Sequence, residues 1–179
     1  MNVSSARPDL ALVLGGARAG KSAFAEGLAR GWAQRVYVAT AAVTDDEMAE
    51  RIALHRTRRG PSWRTVEEPL ELSAVIRRES APATGLLVDC LTVWLGNLMH
   101  HEYDVDAAGE ALLEALATAP GPMVLVANEV GLGIVPDNAM ARAFRDHAGR
   151  LNQAVARVAS RVYFMAAGIP MTLKGPAPD

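Results

Sequence analysis

The sequence predicts an α/β fold in which helices cover both faces of a mostly parallel β-sheet. Short apolar runs alternate with longer helical patterns along the 179 residues, and no internal repeat or long linker interrupts them. Such runs, apolar on both faces, are typical of parallel strands buried between helices. A glycine-rich loop also joins the first run to the first helical pattern, an arrangement typical of phosphate-binding units. We therefore expect one domain at residues 10–174, between a flexible lead at 1–9 and a flexible tail at 175–179.

Seven segments are predicted as strands. Five are short apolar runs, and two others are possible edge strands, the last of which turns back antiparallel after a Gly-Ile-Pro sequence. They lie at 10–14, 36–39, 86–88, 123–127 and 162–166, with the edge strands at 64–66 and 171–173. Ligands of such sheets bind at the carboxyl ends of the strands, so we expect the functional residues directly after them.

Six helices are predicted between these strands. They lie at about 21–33, 45–59, 70–79, 92–100, 106–118 and 138–160. Thr44 and Glu47 match a capping box at the start of the second helix. Asp137 is expected to cap the last helix, because a carboxylate there can accept hydrogen bonds from the first backbone N–H groups.

The composition argues against several partners and locations. The net charge is −2 without a long run of one sign, so nucleic acid is not an expected partner. Cys90 is the only cysteine, which excludes an intrachain disulfide and a cysteine-rich zinc site and fits a reducing cytoplasm. No apolar stretch is long enough for a transmembrane helix, and the polar N-terminus does not resemble a signal peptide. We therefore expect a cytoplasmic protein without stable membrane insertion.

Residues 15–22 match the phosphate-binding P-loop, Gly-x-x-x-x-Gly-Lys-Ser/Thr. Backbone N–H groups of such a loop surround a phosphate chain, and the start of the following helix adds a partial positive charge. Lys21 is expected to reach the β- and γ-phosphates, and Ser22 to hold Mg²⁺. The predicted phosphate-binding residues are Gly15, Gly16, Ala17, Arg18, Ala19, Gly20, Lys21 and Ser22. A strand–turn–helix corner that merely needs glycine is the alternative.

Asp89 ends the third long apolar run, as in a Walker B pattern. A carboxylate there can bind Mg²⁺ directly or through water, which makes Asp89 a second candidate metal ligand beside Ser22. The alternative is that Asp89 caps the following helix.

His55 lies in an arginine-rich helical pattern. Arg51 precedes it by one turn, and Arg58 and Arg59 follow it. A histidine with such neighbours is a candidate nucleophile or acid at a phosphate. Periodicity alone favours a half-buried histidine on an amphipathic helix, with its arginines in solvent.

Two further carboxylates follow predicted strands. Glu67 can accept hydrogen bonds from a guanine edge or a ribose, although an ordinary surface role is equally compatible with the sequence. Glu129 stands beside two glycines in the loop 128–136, which favours a substrate or inter-subunit role over an ordinary loop.

Four segments together resemble the bifunctional adenosylcobinamide kinase / adenosylcobinamide-phosphate guanylyltransferase family. They are residues 15–22, 45–67, 128–136 and 144–153, in the family's order, and the resemblance runs over residues 10–174. Many families share a P-loop, whereas Asn-Glu-Val-Gly-x-Gly-Ile-Val-Pro and Gly-Arg-x-Asn-Gln are much more specific.

The resemblance implies a RecA-like P-loop domain and a homotrimer with active sites near subunit contacts. It implies phosphorylation of the aminopropanol hydroxyl of adenosylcobinamide, and then transfer of GMP from GTP to that phosphate through a guanylylated histidine. The match falls on His55, although some members carry two adjacent histidines where this chain has Leu54 and His55. The family usually has serine at Ala19, a change expected to matter little because that position faces the loop through its backbone.

The family's other binding positions are also implied by resemblance. The nucleotide-contacting matches outside the P-loop are Thr40, Ala41, Ala42, Arg56, Thr57, Arg58, Arg59, Glu67 and Asp89. Glu129, Arg145 and Asn152 are candidates for contacting the corrinoid. GTP or ATP and Mg²⁺ are the implied small-molecule requirements. A different P-loop kinase with a structural His55, and a nucleotide-gated binding ATPase, are the alternative functions.

Overall fold

The computed structural model describes residues 9–41 and 62–178. Within these ranges the strands are Leu10–Gly15 (β1), Gln34–Ala39 (β2), Arg64–Glu67 (β3), Thr84–Asp89 (β4), Met123–Val126 (β5), Arg161–Ala166 (β6) and Ile169–Lys174 (β7). The helices are Lys21–Leu28 (α1), Leu72–Glu79 (α2), Leu91–His100 (α3), Val105–Thr118 (α4) and Ala139–Val158 (α5). The helix expected at 45–59, with its capping box at Thr44 and Glu47, lies outside the described residues.

The strands form one seven-stranded sheet in the order β3-β2-β4-β5-β1-β6-β7. Every pairing is parallel except that of β6 with β7, so the prediction of a mostly parallel sheet with an antiparallel edge strand is confirmed. Parallel pairing brings the carboxyl ends of β1, β4 and β5 to one edge, where Asp89 is aligned with Val126 and Val126 with Val13. The loops after these three strands therefore share one edge of the sheet.

Helices cover both faces, as the apolar runs predict. In β1, Leu10, Leu12 and Leu14 belong to a core cluster that also contains apolar residues of α2, α3, α4 and α5. Ala11 and Val13 point to the opposite face, where they belong to a smaller cluster with residues of α1. Burial of one such leucine contributes roughly 1.5–3 kcal/mol. The two clusters hold β1 at the centre of the molecule.

The ends of two helices differ from the prediction. The first helix ends at Leu28 and not near residue 33. The last helix is capped by Asn138, whose side chain accepts a hydrogen bond from the N–H of Ala141 at 2.7 Å. The prediction of Asp137 as the cap is therefore wrong by one residue. Both residue types are good caps, so only the position where the helix starts decides between them.

None of the helices in residues 9–41 and 62–178 has the combination of length and apolar character that crossing a membrane requires.

Gly15 is the tightest point where the P-loop leaves β1. Its φ is 148°, and a Cβ built there lies 2.6 Å from the backbone oxygen of Met165 on the neighbouring strand β6. Gly16 has ordinary backbone angles and open space around a built Cβ. Only glycine fits the first position without displacing the strand beside it.

We expect Gly15→Ala to lower the free energy of unfolding by about 1–3 kcal/mol or more, from backbone strain and steric overlap. Gly16→Ala is the matched control in the same loop and is expected to change it by less than about 0.5 kcal/mol, the ordinary range for open surface positions. Urea unfolding without nucleotide measures both. Equal effects of the two substitutions would contradict this account of the loop.

Candidate active site

The P-loop lies between β1 and α1 with its backbone open to solvent. Gly16, Ala17, Arg18 and Gly20 are exposed. Arg18 and Gly20 have φ angles of 56° and 95°, so the chain turns sharply before the helix. Gly20 is the N-cap of α1 and has no capping side chain, so the first N–H groups of the helix are available to an anion.

Lys21 folds back over this loop. Only 8% of its surface is exposed, and its Nζ donates a hydrogen bond to the carbonyl oxygen of Gly16 at 2.5 Å. Burial lowers the pKa of Lys21 from its ordinary value, and the nearby acidic groups of Cys90 and Asp89 act in the opposite direction. The ammonium group therefore sits in a position where an additional negative charge would stabilise it.

Asp89 and Ser22 are in direct contact. The Oγ of Ser22 donates to Oδ2 of Asp89 at 2.7 Å, and the hydroxyl of Tyr37 donates to the same oxygen at 2.9 Å. Asp89 does not cap the following helix, because the N-cap of α3 is Cys90. The alternative reading of Asp89 as a helix cap is therefore wrong.

The Ser22–Asp89 pair fits the donor set of Mg²⁺. This ion is usually bound by one or two carboxylates and completes its octahedron with phosphate oxygens and water. Residues 9–41 and 62–178 contain no group of three or more His, Cys, Asp or Glu side chains that would form a metal cage of protein alone. One carboxylate and one hydroxyl beside a phosphate-binding loop match the weaker, substrate-completed type of site.

Thr40 lies at the same edge, but its hydroxyl already makes two hydrogen bonds within the protein. Its Oγ1 donates to the carbonyl oxygen of Cys90 and accepts from the N–H of Cys90, both at 2.8 Å. The Nδ2 of Asn97 binds the carbonyl oxygen of Thr40 at 2.8 Å. Thr40 thus joins the end of β2 to the segment after β4, and Ala41, half exposed, is the neighbouring position with free surface.

The remaining predicted nucleotide-binding residues are far from the loop or outside the described ranges. Glu67 is exposed at the end of β3, four strand positions from β1, which is roughly 19 Å at the usual spacing of strands. His55 and the other predicted residues Ala42, Arg56, Thr57, Arg58 and Arg59 lie outside the described residues.

The turn between β6 and β7 supports the P-loop. The sequence predicts the turn but not this support. Ala167 and Gly168 have φ angles of 52° and 80°, as in a two-residue type I′ hairpin turn. The N–H of Gly168 donates to the carbonyl oxygen of Ala19 at 3.1 Å. The apolar runs at 162–166 and 171–173, with the Gly-Ile-Pro sequence between them, are the signal for this turn, but its contact with the loop depends on β6 lying beside β1.

The loop after β5 is also joined to the P-loop. The N–H of Glu129 donates to the carbonyl oxygen of Gly15 at 3.1 Å, and the N–H of Asn128 donates to Oγ1 of Thr92 at 2.6 Å. The Nδ2 of Asn152 on α5 donates to the carbonyl oxygen of Asn128 at 3.3 Å. Two of the predicted substrate residues, Glu129 and Asn152, are thereby brought together.

Glu129 and Asn152 line a groove of about 370 Å³, which we call the α5–β7 groove. Strands β1 and β6 form its floor, and α5 and β7 form its walls. Its lining includes Leu14, Glu129, Gly149, Asn152, Leu173 and Lys174. Arg145, the third predicted substrate residue, binds Asp146 with its guanidinium group and is not among the groove's lining residues.

A family comparison decides what kind of protein carries this site. The sequence model of the cobinamide kinase / cobinamide phosphate guanyltransferase family matches residues 11–173 of this chain. The chain belongs to this family. The resemblance inferred from the four sequence segments is confirmed, and so is the assignment of the chain to a class of kinases and nucleotidyltransferases.

Characterised relatives agree with the family match over almost their whole length. The chain is 52% identical to the bifunctional adenosylcobalamin biosynthesis protein CobP of Pseudomonas aeruginosa, over 92% of this chain and 96% of that protein. It is 41% identical to the bifunctional adenosylcobalamin biosynthesis protein CobU of Escherichia coli, over 91% of this chain and 98% of that protein. The Salmonella typhimurium protein of the same name is 40% identical.

Solved structures show the same fold at much lower identity. A Pyrococcus horikoshii protein superposes with a TM-score of 0.60 at 7% identity, over 94% of this chain and 87% of its own. An ATPase of a bacterial type III secretion system superposes with a TM-score of 0.53 at 12% identity, over 92% of this chain and 56% of its own. These likenesses confirm the α/β fold.

Lys21→Met is expected to keep or raise the Tm of the protein without nucleotide, because it removes a buried charge. We expect GTP to raise the Tm of the original chain, and Lys21→Met to abolish that rise. The folded pKa of Lys21 lies below 10.5, so the unfolded state binds more protons between the two values. Stability of the original chain therefore rises with pH in that window, and the variant lacks this rise.

Thermal unfolding at several pH values, with and without GTP, measures both effects. Lys21→Arg keeps the charge and serves as the control. A clearly lower Tm of nucleotide-free Lys21→Met at pH 7 would contradict the assignment of Lys21 as a destabilising, functional lysine.

Proposed function

We propose that this chain phosphorylates the aminopropanol hydroxyl of adenosylcobinamide and then transfers GMP from GTP to adenosylcobinamide phosphate, releasing pyrophosphate. The product is adenosylcobinamide-GDP, an intermediate of adenosylcobalamin biosynthesis. The family match over residues 11–173 carries this proposal. The relatives named as bifunctional adenosylcobalamin biosynthesis proteins support it.

In the kinase step, the P-loop holds the triphosphate of GTP or ATP. The open backbone of residues 16–20 and the uncapped start of α1 supply N–H donors, and Lys21 offsets charge on the β- and γ-phosphates. The bound phosphates add negative charge beside the buried ammonium group of Lys21. Ser22 and Asp89 would hold Mg²⁺, which offsets charge on the phosphate oxygens when it is bound.

In the guanylyl-transfer step, we assign His55 as the nucleophile. Its neutral imidazole attacks the α-phosphorus of GTP, a phosphorus–nitrogen bond forms, and pyrophosphate leaves. A phosphate oxygen of adenosylcobinamide phosphate then attacks the same phosphorus, and the imidazole leaves. Arg56, Arg58 and Arg59 follow His55 directly and are assigned to offset charge on the phosphates.

The other nucleotide contacts are assigned by position. Thr40 is assigned to position its neighbours at the nucleotide, because it is fully buried and its hydroxyl, N–H and carbonyl oxygen are already bonded to Cys90, Asp89 and Asn97. Ala41 and Ala42 follow it, Thr57 follows His55, and Glu67 accepts hydrogen bonds from the base or ribose at the far edge of the sheet. We also propose that the protein is a homotrimer, because of the family resemblance. The single cysteine supports a cytoplasmic location.

GTP labelled at the α-phosphate tests the guanylyl transfer. We expect label on the protein that acid removes and base does not, and that adenosylcobinamide phosphate takes up. His55→Ala should abolish the label, whereas His147→Ala, at a described histidine of α5 that the proposal does not use, should retain it. Absence of label from the original chain would favour a plain kinase, and nucleotide hydrolysis without corrinoid binding would favour a nucleotide-gated ATPase.

Asp89→Asn tests the metal assignment. We expect the Mg²⁺ concentration that gives half-maximal kinase activity to rise by about tenfold or more, because a neutral amide is a weaker ligand for a hard cation than a carboxylate. Tyr37→Phe removes one hydrogen bond to the same carboxylate but leaves its charge, so it should shift the requirement much less. Equal Mg²⁺ dependence of Asp89→Asn and the original chain would remove Asp89 from the metal site.

A further inference from the structure

Two family-specific sequence motifs that the phosphate site does not use meet at the α5–β7 groove. Glu129 belongs to the loop 128–136, and Gly149, Asn152 and Gln153 belong to the motif on α5. Neither motif contributes to the Ser22–Asp89 pair. The groove nevertheless adjoins the P-loop, because Leu14 on its floor precedes Gly15 and the backbone N–H of Glu129 is bonded to the oxygen of Gly15.

Asn152 leaves an unsatisfied acceptor in this groove. Only 8% of its surface is exposed, and its Nδ2 is fixed by the bond to the carbonyl oxygen of Asn128. Because the donor in that bond is the amide nitrogen, the other amide atom is the oxygen Oδ1. This oxygen has no hydrogen-bond partner within residues 9–41 and 62–178. A buried acceptor without a partner is costly, so a ligand donor at this position would be stabilising.

A second acceptor lies at the end of the groove beside the P-loop. One oxygen of Glu129, Oε1, accepts a hydrogen bond from the N–H of Gly131 at 2.5 Å. Its other oxygen has no partner among the described residues. The groove thus offers acceptors beside an apolar wall that includes Leu14 and Leu173.

The groove is unsuited to phosphate. Lys174 is the cation among its lining residues, and its ammonium group already donates to the carbonyl oxygens of Ala156 and Arg157 at the end of α5. With Glu129 at the opposite end, an anionic ligand would meet repulsion. The expected ligand therefore presents no negative charge to the groove and is partly apolar and rich in N–H donors.

We propose that the α5–β7 groove binds the amide-bearing edge of the corrinoid acceptor. This inference rests on the proposed function, because it takes cobinamide as the acceptor. The periphery of a corrin carries primary carboxamides, each with two N–H donors, between methyl groups. An amide seated on Asn152 and Glu129 places the macrocycle beside the P-loop, where its hydroxyl arm must reach the bound nucleotide. The rest of the ring lies across exposed apolar side chains such as Leu173 and Ile134.

A second groove, between α4 and α5, lacks these properties. Its volume is about 300 Å³, and its lining includes Asp106, Gly109, His147 and Arg150. Three of its polar side chains contact one another, since Nδ1 of His147 lies 3.0 Å from the guanidinium group of Arg150 and 3.7 Å from Oδ1 of Asp106. None of the described hydrogen bonds joins its lining residues to the P-loop. It therefore provides a control site of similar size.

Glycines in the two grooves give a matched pair of variants. Gly149 on α5 lines the α5–β7 groove and Gly109 on α4 lines the second groove, and a Cβ built on either has no atom within 4 Å. Replacing glycine inside a helix by leucine favours the helix, so both variants are expected to fold. Gly149→Leu fills the α5–β7 groove, and Gly109→Leu fills the other.

Equilibrium dialysis of the full chain against adenosylcobinamide, followed by its visible absorbance, tests the inference. We expect Gly149→Leu to weaken corrinoid binding by about tenfold or more, with Gly109→Leu unchanged. Both variants should bind GTP and take up α-label as the original chain does. Gln153→Ala removes an exposed side chain at the groove without affecting the fold, and it should weaken corrinoid binding by a smaller factor.

The possible failures are distinguishable. If the original chain binds no corrinoid, the proposed function fails and this inference fails with it. If the original chain binds corrinoid and both Gly149→Leu and Gln153→Ala bind it equally well, the groove assignment alone is overturned. Sedimentation of the same variants identifies a third outcome. If the oligomeric state changes while corrinoid binding does not, the corrinoid assignment is overturned and the groove is a contact between copies of this chain.

Discussion

The position of β1 between two parallel neighbours is the constraint on which the site depends. Its pairing with β5 on one side and β6 on the other sends three loops from the same edge of the sheet. One loop is the P-loop, the second carries Glu129, and the third is the turn at Gly168. Both neighbouring loops donate a backbone hydrogen bond to the P-loop, at Gly15 and at Ala19. Sheet pairing thereby fixes the shape of a loop that has few side chains of its own.

The phosphate site contains a buried charge that destabilises the protein when no ligand is bound. Lys21 is buried, its pKa is lowered by that burial, and its ammonium group is held by one backbone carbonyl. A charge in such a place is stabilised best by a ligand of opposite charge, so the site is prepared for an anion before the anion binds. Asp89 contributes the opposite charge nearby, and its Oδ2 accepts hydrogen bonds from Ser22 and Tyr37.

The two sides of the P-loop differ in chemistry, and this difference fits an enzyme with two very unlike ligands. The side of Ser22 and Asp89 presents backbone N–H donors, the ammonium group of Lys21, a hydroxyl and a carboxylate. The side of Glu129 and Asn152 presents acceptors and apolar surface, the features on which the proposed corrinoid binding rests. In the proposed function, a loop shared by both sides brings the reacting ends of the two ligands together.

Much of the fold was predictable because it depends on local patterns. The apolar runs, the P-loop from Gly15 to Ser22 and the antiparallel return after Gly168 are each contained in short stretches of sequence, and the structure has all three. The cap at Asn138 was missed by one residue, because aspartate and asparagine are both good caps and the helix start is set by packing. The role of His55 remains a prediction, since that segment lies outside the described residues.

The sequence by itself determined the chemistry of the phosphate loop and the family, because both are carried by residues close together in the chain. Only the tertiary structure decided that Asp89 binds Ser22, that Gly168 supports Ala19, and that Asn152 meets Glu129 in one groove. The residues of the Ser22–Asp89 contact are 67 positions apart in the chain. Such contacts follow from which strands are neighbours in the sheet, and strand order depends on how the whole apolar core packs rather than on any local motif.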